Sequence, residues 1–125
     1  MTQQSRANAA RAAEVSRAAK TLSEAQILRS HPADTQKLIH ELSATMDSLK
    51  QVTAQLSWVH GRAVNSSDYT ADEGAGLAIE DAAAQLLAAS RFLSAARNAV
   101  IAAEKATSDV RWTKRRSSDP TAPCE

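Results

Sequence analysis

The sequence predicts an all-α protein, an antiparallel three-helix bundle running up-down-up. Three observations predict it. Alanine, the strongest helix former, occurs 27 times in 125 residues. The aromatic residues that favour strands number only four: Trp58, Tyr69, Phe92 and Trp112. Glycine and proline, three of each, are absent from Asp34–His60 and from Leu77–Asp119, which leaves two uninterrupted stretches long enough for a helical hairpin. The length suits one domain with its own core. We expect that domain over residues 1–116, with residues 117–125 as a disordered tail, since Ser117 to Glu125 is polar and holds two prolines.

Helix one is predicted over Ser5–Arg29. Val15, Ala18, Ala19, Leu22 and Ala25 fall on one face at spacings of three and four. That face is mostly alanine, so its burial contributes little per residue. Ser30-His31-Pro32-Ala33-Asp34 breaks the chain, because Pro32 disfavours helical geometry at His31 and suits the first position of a new helix.

Helix two is predicted from Pro32 to about Ala63, ending at Gly61 or running on to Asn65. Leu42, Leu49 and Leu56 repeat every seven residues, interleaved with Leu38, Thr45, Val52 and Val59. The spacing predicts that these residues form the seam against a neighbouring helix. Ile39 and Met46 widen that seam, and His40, Asp47, Lys50, Gln51 and Ala54 are expected on the solvated side.

Helix three is predicted from Thr70 or Asp72 to about Arg115. Thr70-Ala71-Asp72-Glu73 has the form of a capping box. Five acids and no base between Asp68 and Ser90 suit the positive end of a helix dipole. Ile79, Leu86, Leu93, Val100 and Thr107 form one heptad column. Ala82, Ala89, Ala96, Ala103 and Val110 form the column three residues on, and large residues beside alanine allow close helix packing. The flanks are unusually apolar as well, and no charge occurs between Asp81 and Arg91. A helix apolar around most of its circumference is buried around most of it.

Composition excludes several roles. Charge is balanced, 15 bases against 14 acids, so no global field draws nucleic acid or an anionic membrane. The longest apolar run, Ala82 to Ala89, is interrupted by Gln85 and far too short to span a bilayer. Met1 to Ala13 has no apolar core like that of a secretory signal. We therefore expect a soluble, cytoplasmic protein without membrane contact, a reading with which export lacking a cleaved signal is also compatible. Cys124 is the single cysteine, so no intrachain disulfide forms.

Catalytic and metal chemistry lack their residues. Carboxylate-bridged metal sites on helices need Glu three positions before His. Leu28, Lys37 and Ser57 stand there ahead of His31, His40 and His60. There is no zinc cage with one cysteine, no GxSxG elbow, and Gly74-Ala75-Gly76 follows no strand and is not a phosphate loop. Asp72-Glu73 and Glu80-Asp81 read as dipole-stabilising acids rather than as an acid/base pair. No enzyme activity, cofactor or metal is expected.

The expected role is a non-enzymatic protein–protein interaction module, an adaptor, regulator or inhibitor that packs helix on helix. Its partner is a second copy or another helical protein. The expected partner face is Leu87, Ala88, Ala95, Ile101 and Ala102, with Phe92 at the edge and Trp58 as an anchor or as a cover over the Gly74/Gly76 notch. The alternative is nucleic-acid association through Arg111, Trp112, Lys114, Arg115 and Arg116, four cations and a stacking ring in six residues. As a plain helix end, those cations complement the dipole instead.

Two antiparallel helices with Trp and Gly near the turn faintly resemble the small WXG100 proteins secreted by type VII systems. In Trp58-Val59-His60-Gly61, one residue more separates Trp from Gly than in that family. Tyr69 and Glu73 have the spacing of its export signal, but lie at the hairpin and not after the last helix. There is also an additional N-terminal helix. The resemblance covers the hairpin alone, and the chain is not assigned to the family.

Overall fold

The structure is a computed structural model that describes residues 2–65 and 74–113. The described residues are all-α, with no strand: α1 (Gln3–Ser23), a single 3-10 turn (Ile27–Arg29), α2 (Pro32–Asn65) and α3 (Gly76–Thr107). The chain divides into two units, Met1–His31 and Pro32–Glu125.

In the first unit, the Thr2 hydroxyl caps α1 by accepting from the Ser5 amide at 3.1 Å. The helix ends six residues before the predicted Arg29. The Ser23 hydroxyl donates to the Lys20 carbonyl at 2.6 Å, a local bond that competes with helix continuation. Gln26 then leaves helical geometry, with φ −83° and ψ 57°. No residue of α1 is buried, and Val15 and Leu22 stand exposed.

The second unit is a helical hairpin. Pro32 opens α2 as predicted, and the helix runs on to Asn65, the longer of the two expected ends. Cross-helix contacts fix the direction of pairing. Gln36 meets Thr107, Asp47 meets Arg97, Lys50 meets Ser90 and Ser57 meets Ala83. Partners fall along α3 as positions rise along α2, so the helices are antiparallel.

The start of α3 differs from the prediction. Gly74 adopts φ +83°, a left-handed conformation that costs side-chain-bearing residues strain, and the helix begins only at Gly76. The proposed capping box at Thr70–Glu73 lies outside the described residues. The helix also stops at Thr107, well short of Arg115. At that end Thr107 donates to the Ala103 carbonyl and Ser108 to the Lys105 carbonyl, both at 3.0 Å. The predicted tail, residues 117–125, lies outside the described residues.

The seam of the hairpin is the main correction. On α2 the residues turned toward α3 are Gln36, Ile39, Ser43, Met46, Lys50, Thr53, Ser57 and His60, all half-buried or buried. This row keeps the heptad spacing but lies one residue beyond the predicted row of Leu42, Leu49 and Leu56. Stepping one residue along a helix turns the face by about 100°. Of the residues expected in solvent, Asp47, Lys50 and Ala54 are half-buried, and His40 reaches across to Glu104 at 3.2 Å. On α3, the column Ile79, Leu86, Leu93, Val100 and Thr107 faces the seam as predicted. Its companion is Ala83, Ser90, Arg97 and Glu104 rather than the alanine column one residue earlier.

Serine accounts for the rotation. Among the described residues only Ser43 and Ser90 are buried, at 7% exposure each, and no hydrophobic side chain is. The Ser90 hydroxyl donates to the Lys50 carbonyl at 3.1 Å, and the Ser57 hydroxyl donates to the Ala83 carbonyl at 2.7 Å. Both bonds run from a side chain on one helix to the backbone of the other. They form only where the backbones approach closely, which small residues permit and leucines would prevent. Each bond contributes about 0.5–1.5 kcal/mol.

Candidate interaction surface

The rotated seam leaves the leucine heptad of α2 on the flank of the hairpin. Leu42, Leu49 and Leu56 each precede a seam residue by one position, and so do Leu38, Thr45, Val52 and Val59. Leu38 and Leu49 are half-buried, and Leu42, Val52, Leu56 and Val59 are exposed, the last at 53%.

Antiparallel pairing decides what lies beside them. On α3, Ala82, Ala89, Ala96 and Ala103 likewise precede the seam residues Ala83, Ser90, Arg97 and Glu104. One step back turns each helix in the same hand about its own axis. Because the two helices face each other and run in opposite directions, both steps lead to the same side of the hairpin. The leucine ridge of α2 and the alanine column of α3 therefore share one face. Ala82, Ala89 and Ala96 are half-buried there.

The face carries no charge. Its α2 positions 38, 42, 45, 49, 52, 56 and 59 read Leu, Leu, Thr, Leu, Val, Leu and Val. Its α3 positions 82, 85, 89, 92, 96, 99 and 103 read Ala, Gln, Ala, Phe, Ala, Ala and Ala, with Phe92 at the outer edge and 74% exposed. The opposite flank is polar: Asp47 pairs with Arg97 at 3.3 Å and with Lys50 at 3.7 Å, and His40 contacts Glu104. Leu42, Val52, Leu56, Val59 and Phe92 are the exposed large apolar residues of the uncharged face.

The residues expected from sequence are divided by this geometry. Leu87 and Ile101 lie on the polar flank, one 39% exposed and the other half-buried against the seam. Ala88, Ala95 and Ala102 lie on the back of α3, farthest from α2, where Ala95 and Ala102 are exposed and Ala88 half-buried. Phe92 alone belongs to the uncharged face. Trp58 points outward at 61% exposure, under the Arg62 guanidinium 4.5 Å from its ring centroid. Among the described residues no side chain, Trp58 included, fills the Gly74/Gly76 notch, since a Cβ at either glycine would meet nothing within 4 Å. Arg111 and Trp112 are exposed and non-helical, which removes them from any helix-borne basic face. Lys114, Arg115 and Arg116 lie outside the described residues. Missing from the expected surface were Leu42, Leu49, Val52, Leu56 and Val59; their periodicity signalled an interface but not which of two.

Among the described residues no three His, Cys, Asp or Glu side chains converge as metal ligands, and no helix is long and apolar enough to cross a membrane. Compared with known protein families, with curated proteins and with solved structures, the chain matches none.

Proposed function

We propose that this protein is a non-enzymatic interaction module that docks a helical partner on the uncharged face of the α2–α3 hairpin. The observation carrying this reading is the heptad ridge in which Leu42, Val52, Leu56 and Val59 are exposed and Leu49 is half-buried. Fully burying one such side chain contributes about 1.5–3 kcal/mol, so several partly exposed ones supply a large driving force for association. The alanine column beside the ridge lets a partner helix come close. Action as an adaptor, regulator or inhibitor rests on the same surface.

The test is capture with wild-type protein as bait, from its native host and from a mixture holding a differently tagged second copy. Two variants serve as comparison, Leu42→Lys/Leu49→Lys/Leu56→Lys and Leu87→Arg/Ile101→Arg. We expect a partner retained by wild type and by the second variant and lost by the first. If wild type retains nothing that the lysine variant loses, the face is not a docking site.

A further inference from the structure

We infer that the occupant of the uncharged face is a second copy of this chain, related by a two-fold axis parallel to the helices. This rests on the docking reading above and names its partner. The two hairpins form a four-helix bundle in which α2 of each lies over α3 of the other.

The face is complementary to itself at matched levels. Cross-helix contacts place position 47 level with 97, position 50 with 90 and position 57 with 83. Leu49 is thus level with about position 93, midway between Ala89 and Ala96. Leu42 falls in the same way between Ala96 and Ala103, and Leu56 between Ala82 and Ala89. A two-fold axis along the helices preserves level, so the partner's Leu49 enters the gap between Ala89 and Ala96. Each leucine is then a knob, and each pair of alanines frames its hole. All neighbouring helices in this assembly are antiparallel.

The area agrees, and the face itself carries no charge. Leu38 to Val59 spans about 32 Å at 1.5 Å per residue, and two helices side by side are about 20 Å wide. That footprint of about 600 Å² per copy gives about 1,200 Å² in all, above the roughly 1,000 Å² that a specific interface needs.

The alternative two-fold axis, perpendicular to the helices, would stack α2 on α2 and bring the two Leu49 residues together. Single-cysteine proteins separate the arrangements. Full-length Cys124→Ser protein carrying Leu49→Cys is mixed with Cys124→Ser protein carrying Ala96→Cys, oxidised, and weighed by native mass spectrometry. We expect a dimeric mass and the mixed 49–96 disulfide, with no 49–49 disulfide, since those residues lie diagonally across the bundle and beyond the reach of a disulfide. A dimer joined 49–49, or one giving no mixed disulfide, overturns the arrangement. A protein that stays monomeric at the highest concentrations reached overturns the second copy as occupant. If the capture experiment still shows a partner lost by the lysine variant, the docking reading survives that failure; otherwise both fall together.

Discussion

Replacing Ser90 with leucine tests the rotated seam at its tightest point. Ser90 is buried, and its hydroxyl sits 3.1 Å from the Lys50 carbonyl on the opposite helix. Leucine removes that bond, at about 0.5–1.5 kcal/mol. It also places two further heavy atoms where a backbone already lies in contact, and overpacking of this kind costs about 1–3 kcal/mol. The better helix propensity of leucine returns only a few tenths, so the net loss is about 1–4 kcal/mol. In urea, followed by far-UV circular dichroism at fixed protein concentration, the midpoint falls by about 0.5–2 M for a chain of this size. Ala102→Leu is the control, because Ala102 is exposed on the back of α3, away from both the seam and the uncharged face, and added bulk there changes stability by no more than about 0.5 kcal/mol. A Ser90→Leu protein as stable as wild type would refute the seam and return Ser90 to solvent.

Three further outcomes follow from the geometry. Gly74→Ala forces a side chain into a left-handed conformation and lowers stability by about 1 kcal/mol in thermal melting, although the space around it is open. Asp47→Asn removes the pairing with Arg97 and Lys50 on a partly exposed flank, so its destabilisation in urea titration stays below about 1 kcal/mol and shrinks further in high salt. Leu87→Arg with Ile101→Arg leaves association unchanged in light scattering, because neither residue belongs to the uncharged face; a monomer produced by this pair would restore the face expected from sequence.

The helices themselves were legible because their signals are local. Proline at position 32 marked the start of α2, and the Ile79–Thr107 column marked the inward side of α3. The rotation of α2 was not legible. Its leucine row and the row of Ser43, Lys50 and Ser57 are one residue apart and share one period, so periodicity supports both. Hydrophobicity favours the leucines, whereas close approach favours Ser43 and Ser57, and a serine that donates to a facing carbonyl looks like surface in a sequence. The end of α3 was hidden as well, because the apolar pattern runs on to Val110 whereas the helix stops at Thr107. For the interaction surface, the excess of apolar circumference was readable, but its position depended on the seam. With the seam turned, the excess moved from Leu87 and Ile101 on α3 to the leucine ridge of α2.

Sedimentation equilibrium of the full-length protein over a wide concentration range, wild type beside Leu42→Lys/Leu49→Lys/Leu56→Lys, tests the role of that ridge most directly. A second copy seated on the ridge predicts a wild-type mass that rises to twice that of the protomer, and a lysine variant that remains a helical monomer throughout. Equal masses for the two proteins at every concentration would contradict it.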